Sequence, residues 1–279
     1  MRSLLQVVRG KSEAGEELPP FLPLVHEAGI SFRRGQLHVI AGQPGRGKTL
    51  AALWYAITSG VECLYFSADS DEGTIVNRAL AVHMRETVAE IKKLRTLDSD
   101  DPRTLAMVDS LWDLSSQIRI QTNPAPSMDD IYEEVYSWIE MFGRCPALIV
   151  VDNLSNISAM HDNEWTGLRD GLRALHTLAR ETLSAVVVLH HTSESVGGPT
   201  KPAPMKATMG KVNALPEVIL TIAMDGPRYH IAAVKNRDGK ADPYAEEPIT
   251  VYVDPEGMAL YNSYTELETA KKRREWTSG

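Results

Sequence analysis

Residues 42–49 read Gly-Gln-Pro-Gly-Arg-Gly-Lys-Thr, the pattern GxxxxGK[ST]. Glycines let a backbone wrap closely around phosphate groups with several N–H donors pointing inward. Lys48 supplies a compact positive charge for β- and γ-phosphates. Thr49 offers a hydroxyl to magnesium and opens a helix whose N-terminus favours anions. Gly42, Gln43, Pro44, Gly45, Arg46 and Gly47 form the loop itself. The flanks match the pattern's needs: an apolar run, Leu37 to Ala41, precedes it, and a helix over 49–59, ended by Gly60, follows. A chain with this strand, loop and helix is built to hold a nucleoside triphosphate and its magnesium.

The rest of the chain alternates in the same way. Strands are predicted at 62–67, 118–121, 147–151 and 185–189, with helical stretches through about residue 116, from Ser127 and over 164–182. Asp130 stands three residues after Ser127, a capping signal. Short strands this apolar, separated by helices, indicate a parallel sheet covered on both faces. After His191 the texture changes. Residues 193–211 are rich in glycine and proline and have no apolar period, which marks a long loop, functional or disordered. Strands near 217–224, 228–235, 249–253 and 258–262 lie close in sequence, so hairpins follow. The expected organisation is an arm and linker over 1–23, beginning with a short helix at 1–9. An ATPase domain spans 24–263 and a charged tail 264–279. The basic run Lys271 to Arg274 in that tail reads as a solvated helix end.

Twenty-nine basic against 37 acidic residues give a net charge of −8, which excludes a generally basic nucleic-acid coat but not a local basic groove. Cys63 and Cys145 have no metal-ligand spacing and read as reduced thiols, fitting a cytoplasmic location. No run approaches the ~20 apolar residues that span a bilayer, so no membrane is expected as a partner.

Four further groups carry chemistry. The strand 147–151 delivers Asp152 at its C-terminal end, where α/β sheets bind ligands, as a candidate for holding magnesium. The strand after the P-loop helix ends in Asp69, with Asp71 and Glu72 close behind. Hydrolysis needs a carboxylate that orients water, and Asp69 is the first candidate, Glu72 the second. The bland reading is a set of helix-capping acids. His190 and His191 end the strand 185–189. There a polar group could sense the γ-phosphate, or the pair could simply be packed. No further Cys or His stands nearby at zinc spacing. Lys235 and Arg237, two apart, point to one face before a turn. They fit either a charged hairpin tip or a cationic finger that stabilises transition-state charge in a neighbouring subunit.

These elements, in this order, resemble the RecA-like ATPase core of DnaB-type hexameric helicases over about residues 24–263. In that family the strand after the P-loop helix ends in Phe-Ser-x-Glu, here Phe66-Ser67-Ala68-Asp69. The next helix carries an arginine, which Arg78 matches. A glutamine sensor ends a later strand, where this chain has His191, or less well His190. A Lys-x-Arg pair reaches the neighbour's γ-phosphate, here Lys235 and Arg237. Aspartate in place of glutamate implies slower hydrolysis or a substitute role for Glu72. Histidine in place of glutamine resembles the plasmid RepA-like branch. Only about 23 residues precede the core, where cellular members carry a large collar, so a phage or plasmid origin is implied.

The resemblance implies ATP and Mg²⁺ as ligands, a homo-oligomeric, hexameric ring, and single-stranded DNA in a central pore. Lys201, Lys206 and Lys211 in the loop after His191 are then the DNA-tracking residues, in replication or recombination. Two other readings stay open: a RecA-like recombination or annealing ATPase that uses ATP as an assembly switch, and an ATP-dependent scaffold or loader.

Overall fold

The structure is a computed structural model that describes residues 15–98, 100–157, 164–193, 198, 200–208 and 213–278. The expected helix at 1–9, and Lys211, lie outside the described residues.

Nine strands form one sheet in the order β3-β2-β4-β5-β1-β6-β7-β8-β9. They are β1 (Leu37–Gly42), β2 (Cys63–Ser67), β3 (Ile118–Gln121), β4 (Leu148–Asp152), β5 (Ala185–His191), β6 (Val218–Asp225), β7 (Arg228–Asn236), β8 (Ile249–Asp254) and β9 (Ala259–Tyr261). The strands from β3 through β6 in that order run parallel. The last three pair antiparallel through hairpins. The mostly parallel sheet and the C-terminal hairpins are as the sequence predicts.

Eight helices accompany the sheet among the described residues: α1 (Pro23–Glu27), α2 (Lys48–Thr58), α3 (Glu72–Met84), α4 (Val88–Leu94), α5 (Pro102–Gln117), α6 (Met128–Phe142), α7 (Glu164–Thr182) and α8 (Tyr264–Ser278). Strand side chains alternate between two cores. Ile40, Tyr65, Val150 and Val187 pack with α2 and α3, while Val39, Phe66, Val151 and Val188 pack with Trp138 of α6 and Leu175 of α7. Both faces are therefore apolar, which is why β1, β4 and β5 read as continuous hydrophobic runs.

Local chemistry sets the helix starts. Ser127 and Asp130 form a reciprocal capping box: the Asp130 N–H donates to Ser127 Oγ at 3.0 Å, and the Ser127 N–H donates to Asp130 Oδ2 at 2.7 Å. Asp71 caps α3 by accepting from the Thr74 N–H at 2.9 Å. Residues 15–22, linker-like in composition, lie on the core. Phe21 is buried against Phe32, Trp54 and Tyr55. The tail helix α8 is anchored too: Leu267 is fully buried, and Arg274 pairs with the buried carboxylate of Asp254.

His38 shows what this close packing does to a titratable group. It is completely buried on β1 and accepts the Arg33 N–H at Nε2, 3.1 Å away. Burial lowers its pKa from 6.5 to about 4. The unfolded chain takes up this proton first, so stability is lost as pH falls from about 6.5 to about 4, and no further below that. The loss from this residue is on the order of 3 kcal/mol. In urea unfolding at pH 7 and pH 4.5, His38→Gln is expected to lose much of the wild-type difference; an equal drop in both proteins would assign the effect to other groups.

Candidate nucleotide site

Parallel strands bring their C-terminal ends to one edge of the sheet, and β1, β2, β4 and β5 bring Gly42, Ser67, Asp152 and His191 there. The loop 42–49 leaves β1 at this edge. Gly47 takes φ +81° as it turns into α2, and a Cβ there would sit 3.0 Å from Met224 Sδ and 3.1 Å from Tyr229 Cε2. The Tyr229 hydroxyl donates to the Gly47 carbonyl at 3.1 Å. The hairpin between β6 and β7 thus clamps the loop from outside. Gly42 is equally confined, with its missing Cβ only 2.8 Å from Ile222 Cγ1.

Lys48 is buried at the start of α2. Its ammonium donates to the carbonyls of Gly42 and Gln43, at 3.0 and 3.1 Å, and lies 3.4 Å from His191 Nδ1. Burial lowers its pKa, against the pull of Asp152 and Asp69. Among the described residues no carboxylate pairs directly with it, so a buried cation faces a loop of backbone donors, an arrangement suited to a polyanion.

Thr49 Oγ1 donates to Asp152 Oδ2 at 2.7 Å, and the buried Tyr65 hydroxyl donates to the same oxygen at 3.1 Å. Burial raises the Asp152 pKa, and these two hydrogen bonds oppose the rise by favouring the charged form. A threonine hydroxyl beside an aspartate fits magnesium, which binds through few protein oxygens and completes its shell with water and phosphate. Among the described residues no group of three His, Cys, Asp or Glu forms a separate metal cage.

Asp69 lies just beyond β2, and the Asn153 side-chain amide donates to its Oδ2 at 2.7 Å. The same amide nitrogen stands 3.5 Å from His191 Nε2. Burial and the neighbouring Lys48 lower the His191 pKa, with Asp69 acting the other way. Asp69, Asn153, His191 and Lys48 therefore stand together as one polar cluster, in which a neutral His191 accepts from only one of its two donor neighbours. His190 is buried instead. Glu72 is exposed in the first turn of α3 beside the capping Asp71. Arg78, further along α3, donates to Ser70 Oγ at 3.1 Å.

Sequence reasoning misses Asn153 and Tyr65. Asn153 carries a signal, since it follows Asp152 directly at a strand end. Tyr65 carries none, because an aromatic residue inside an apolar strand reads as core.

Lys235 and Arg237 are not part of this cluster. They stand at the opposite end of the sheet, where Arg237 pairs with Glu217 next to Leu37 at the start of β1. Five strand steps separate Leu37 from Gly42, or about 17 Å. Lys201 and Lys206 are exposed on the segment after β5. That segment is pinned at its stem: Thr192 bridges Thr208, and the Ser193 N–H donates to the Ala207 carbonyl at 2.9 Å.

The fold and this loop define a RecA-like P-loop ATPase core. Within that class the chain belongs to the DnaB-like helicase C terminal domain family, which it matches over residues 26–222. It is 35% identical over 246 residues to the Gene 65 protein of Mycobacterium phage L5, covering 85% of this chain and 90% of that one. For the Gene 65 protein of Mycobacterium phage D29 the figures are 31% over 213 residues, 74% and 90%. Among solved structures, one isolated ATPase domain superposes with a TM-score of 0.78 at 15% identity, covering 93% of this chain and 96% of that domain. A DnaB-like replicative helicase, described with its interactions with primase, gives 0.77 at 15% identity, covering 93% of this chain and 66% of its own length. A KaiC-like protein from Pyrococcus horikoshii gives 0.59 at 13% identity, covering 88% and 99%. These structural likenesses speak to the fold. Family membership supports a helicase-type ATPase function. No helix among the described residues is long and apolar enough to cross a membrane.

The confinement of Gly47 gives a direct test of the loop geometry. Gly47→Ala forces a side chain into the left-handed region and against Tyr229 and Met224. It is expected to cost about 1–2 kcal/mol from backbone strain alone, read as a lower denaturant midpoint, whereas Gly45→Ala, with open space around its missing Cβ, loses only the strain.

Proposed function

We propose that this chain is one subunit of a ring-forming, ATP-driven DNA helicase whose catalytic sites are shared between neighbours. The observation that carries this reading is the division of the charged groups between two ends of one sheet. Lys48, Thr49, Asp152 and the Asp69 cluster stand at one end, and Lys235 and Arg237 at the other. A strand's length is too far for Arg237 to serve its own loop. A head-to-tail arrangement brings the two ends together, and it makes a ring where the rotation between neighbours closes.

In this mechanism the loop N–H groups and Lys48 bind the β- and γ-phosphates of ATP. Thr49 and Asp152 hold magnesium, which supplies neutralisation of phosphate charge. Thr49 and Tyr65 both donate to Asp152 and favour its charged form against the effect of burial. Asp69 orients the attacking water and takes its proton, and Asn153 fixes the Asp69 carboxylate. Asp69 is favoured over Glu72 because it shares Asn153 with His191. His191, whose pKa is lowered by burial and by Lys48, senses the γ-phosphate through Lys48 and passes that state to the segment it leads into. Arg237 and Lys235 of the adjoining subunit stabilise charge on the transferring phosphoryl group. Lys201, Lys206 and Lys211 track single-stranded DNA backbone in the pore, with a salt-dependent grip.

Arg237→Ala is expected to leave ATP-analogue binding within about twofold and to lower single-stranded-DNA-stimulated turnover by a factor of ~10³ or more. Fluorescent-nucleotide titration and steady-state phosphate release measure the two. Normal turnover in this variant would remove the shared-site reading. The absence of both DNA-stimulated ATPase and forked-duplex unwinding in the wild type would remove the helicase reading.

A further inference from the structure

Arg237 and Lys235 do not hang free at the end of β7. Between the loop after β5 and the start of β6, residues 213–217 form a cradle for both. Lys235 Nζ donates to the carbonyls of Asn213 and Ala214, at 2.6 and 3.1 Å. Arg237 Nε lies 2.8 Å from Glu217 Oε2, and Nη2 lies 3.4 Å from the Ala214 carbonyl. Glu217 holds the arginine's backbone as well, its carbonyl accepting the Arg237 N–H at 3.0 Å.

Three features make this more than a surface ion pair. The Glu217 side chain is only 12% exposed, against 54% for Arg237, so the carboxylate is the fixed partner and the guanidinium the presented one. The Glu217 N–H donates to the Leu37 carbonyl at 2.8 Å, which ties the residue to the first strand of the sheet and not to a loop. The ladder slips between Ile219 and Leu220, so that Val234 is the extra residue of a bulge just before Lys235. Bulges re-aim the side chains that follow them. A guanidinium carries five donors in a rigid fork. With Glu217 on Nε, Nη1 has no protein partner among the described residues and is left for an outside anion.

We propose that Glu217 is a positioning residue for Arg237: its carboxylate fixes one edge of the guanidinium so that the other is presented to the triphosphate of the neighbouring subunit. This rests on the reading that Arg237 acts in that neighbour's site. Glu217 touches no substrate itself. The same cradle joins the pair to the segment that leaves His191, through Asn213, which accepts from Thr208 Oγ1 and donates to the Met205 carbonyl.

The test uses the full chain with ATP and single-stranded DNA. The variants are E217A, E217D, R237A and the double variant E217A/R237A. Misplacing a catalytic group by about 1 Å costs on the order of 100-fold in rate, so E217A is expected to lower kcat by about 10- to 100-fold. The dissociation constant for a fluorescent ATP analogue, the assembly state and the unfolding midpoint should stay close to wild type. E217D, which keeps the charge, should recover part of kcat. The double variant should be no slower than R237A, because two residues acting as a unit do not combine additively.

Turnover in E217A within twofold of wild type, with R237A inactive, would overturn the proposal and leave the shared site standing. Multiplying losses in the double variant would also overturn it, by placing Glu217 in some other role. Normal turnover in R237A would overturn both readings together. If E217A does not fold, E217Q, which keeps the shape and removes the charge, is read by the same criteria.

Discussion

A lysine ammonium buried at the head of a helix is the interaction on which the rest of this structure turns. Burial works against the Lys48 charge, and the Gly42 and Gln43 carbonyls hold it directly. Those carbonyls are in place because Gly42 ends a strand flanked on both sides by parallel neighbours and is packed against Ile222. The sheet therefore serves the loop. Its strand order brings Asp152 to Thr49 and His191 to Lys48, and the β6–β7 hairpin closes over Gly47 through Tyr229. A site with backbone donors, one buried cation and one buried carboxylate is suited to a magnesium–triphosphate, which would give each charge a partner.

The second constraint is the direction of β7. An antiparallel strand after a parallel one returns the chain to the far end of the sheet, and it takes Lys235 and Arg237 with it. In the proposed ring this gives each subunit two different ends, one that binds triphosphate and one that completes the neighbour's site. The segment between β5 and β6 has to travel the same distance. It starts at His191 and ends as the residues that hold Lys235 and Arg237. The Thr192–Thr208 bridge, Asn213 and Lys235 are contacts that lie along this segment.

Much of this is legible in the residues. The apolar runs around 37–41, 147–151 and 185–189 read as buried parallel strands because both of their faces are covered by helices. Ser127 and Asp130 announce a capping box with the partners the structure shows. The place of Asp152 beside Thr49 is legible because a strand that follows this pattern ends at the same edge of the sheet as the loop. Other parts are not, and the reason is geometric. Residues 15–22 look like a linker by composition, yet Phe21 finds an aromatic pocket made by Phe32, Trp54 and Tyr55, a contact no local pattern encodes. Glu72 stays open as a second candidate beside Asp69 in the residues alone, since capping and water activation both call for acids. The structure separates them by place: Asn153 donates to Asp69, while Asp71 caps α3 and Glu72 is exposed beside it. The partnership of Glu217 with Arg237 depends on β6 lying beside β7 with a bulge, which the spacing of the two residues does not reveal.

In the proposed ring a working site is made from two chains. Mixing Lys48→Ala subunits with Arg237→Ala subunits tests it most directly, with ATP turnover measured before and after mixing. Each variant alone lacks one half of every site. The account predicts that mixed assemblies regain turnover, because an intact Lys48 on one subunit meets an intact Arg237 on the next. Mixed assemblies that form, bind nucleotide and still show no turnover above the separate variants would contradict it.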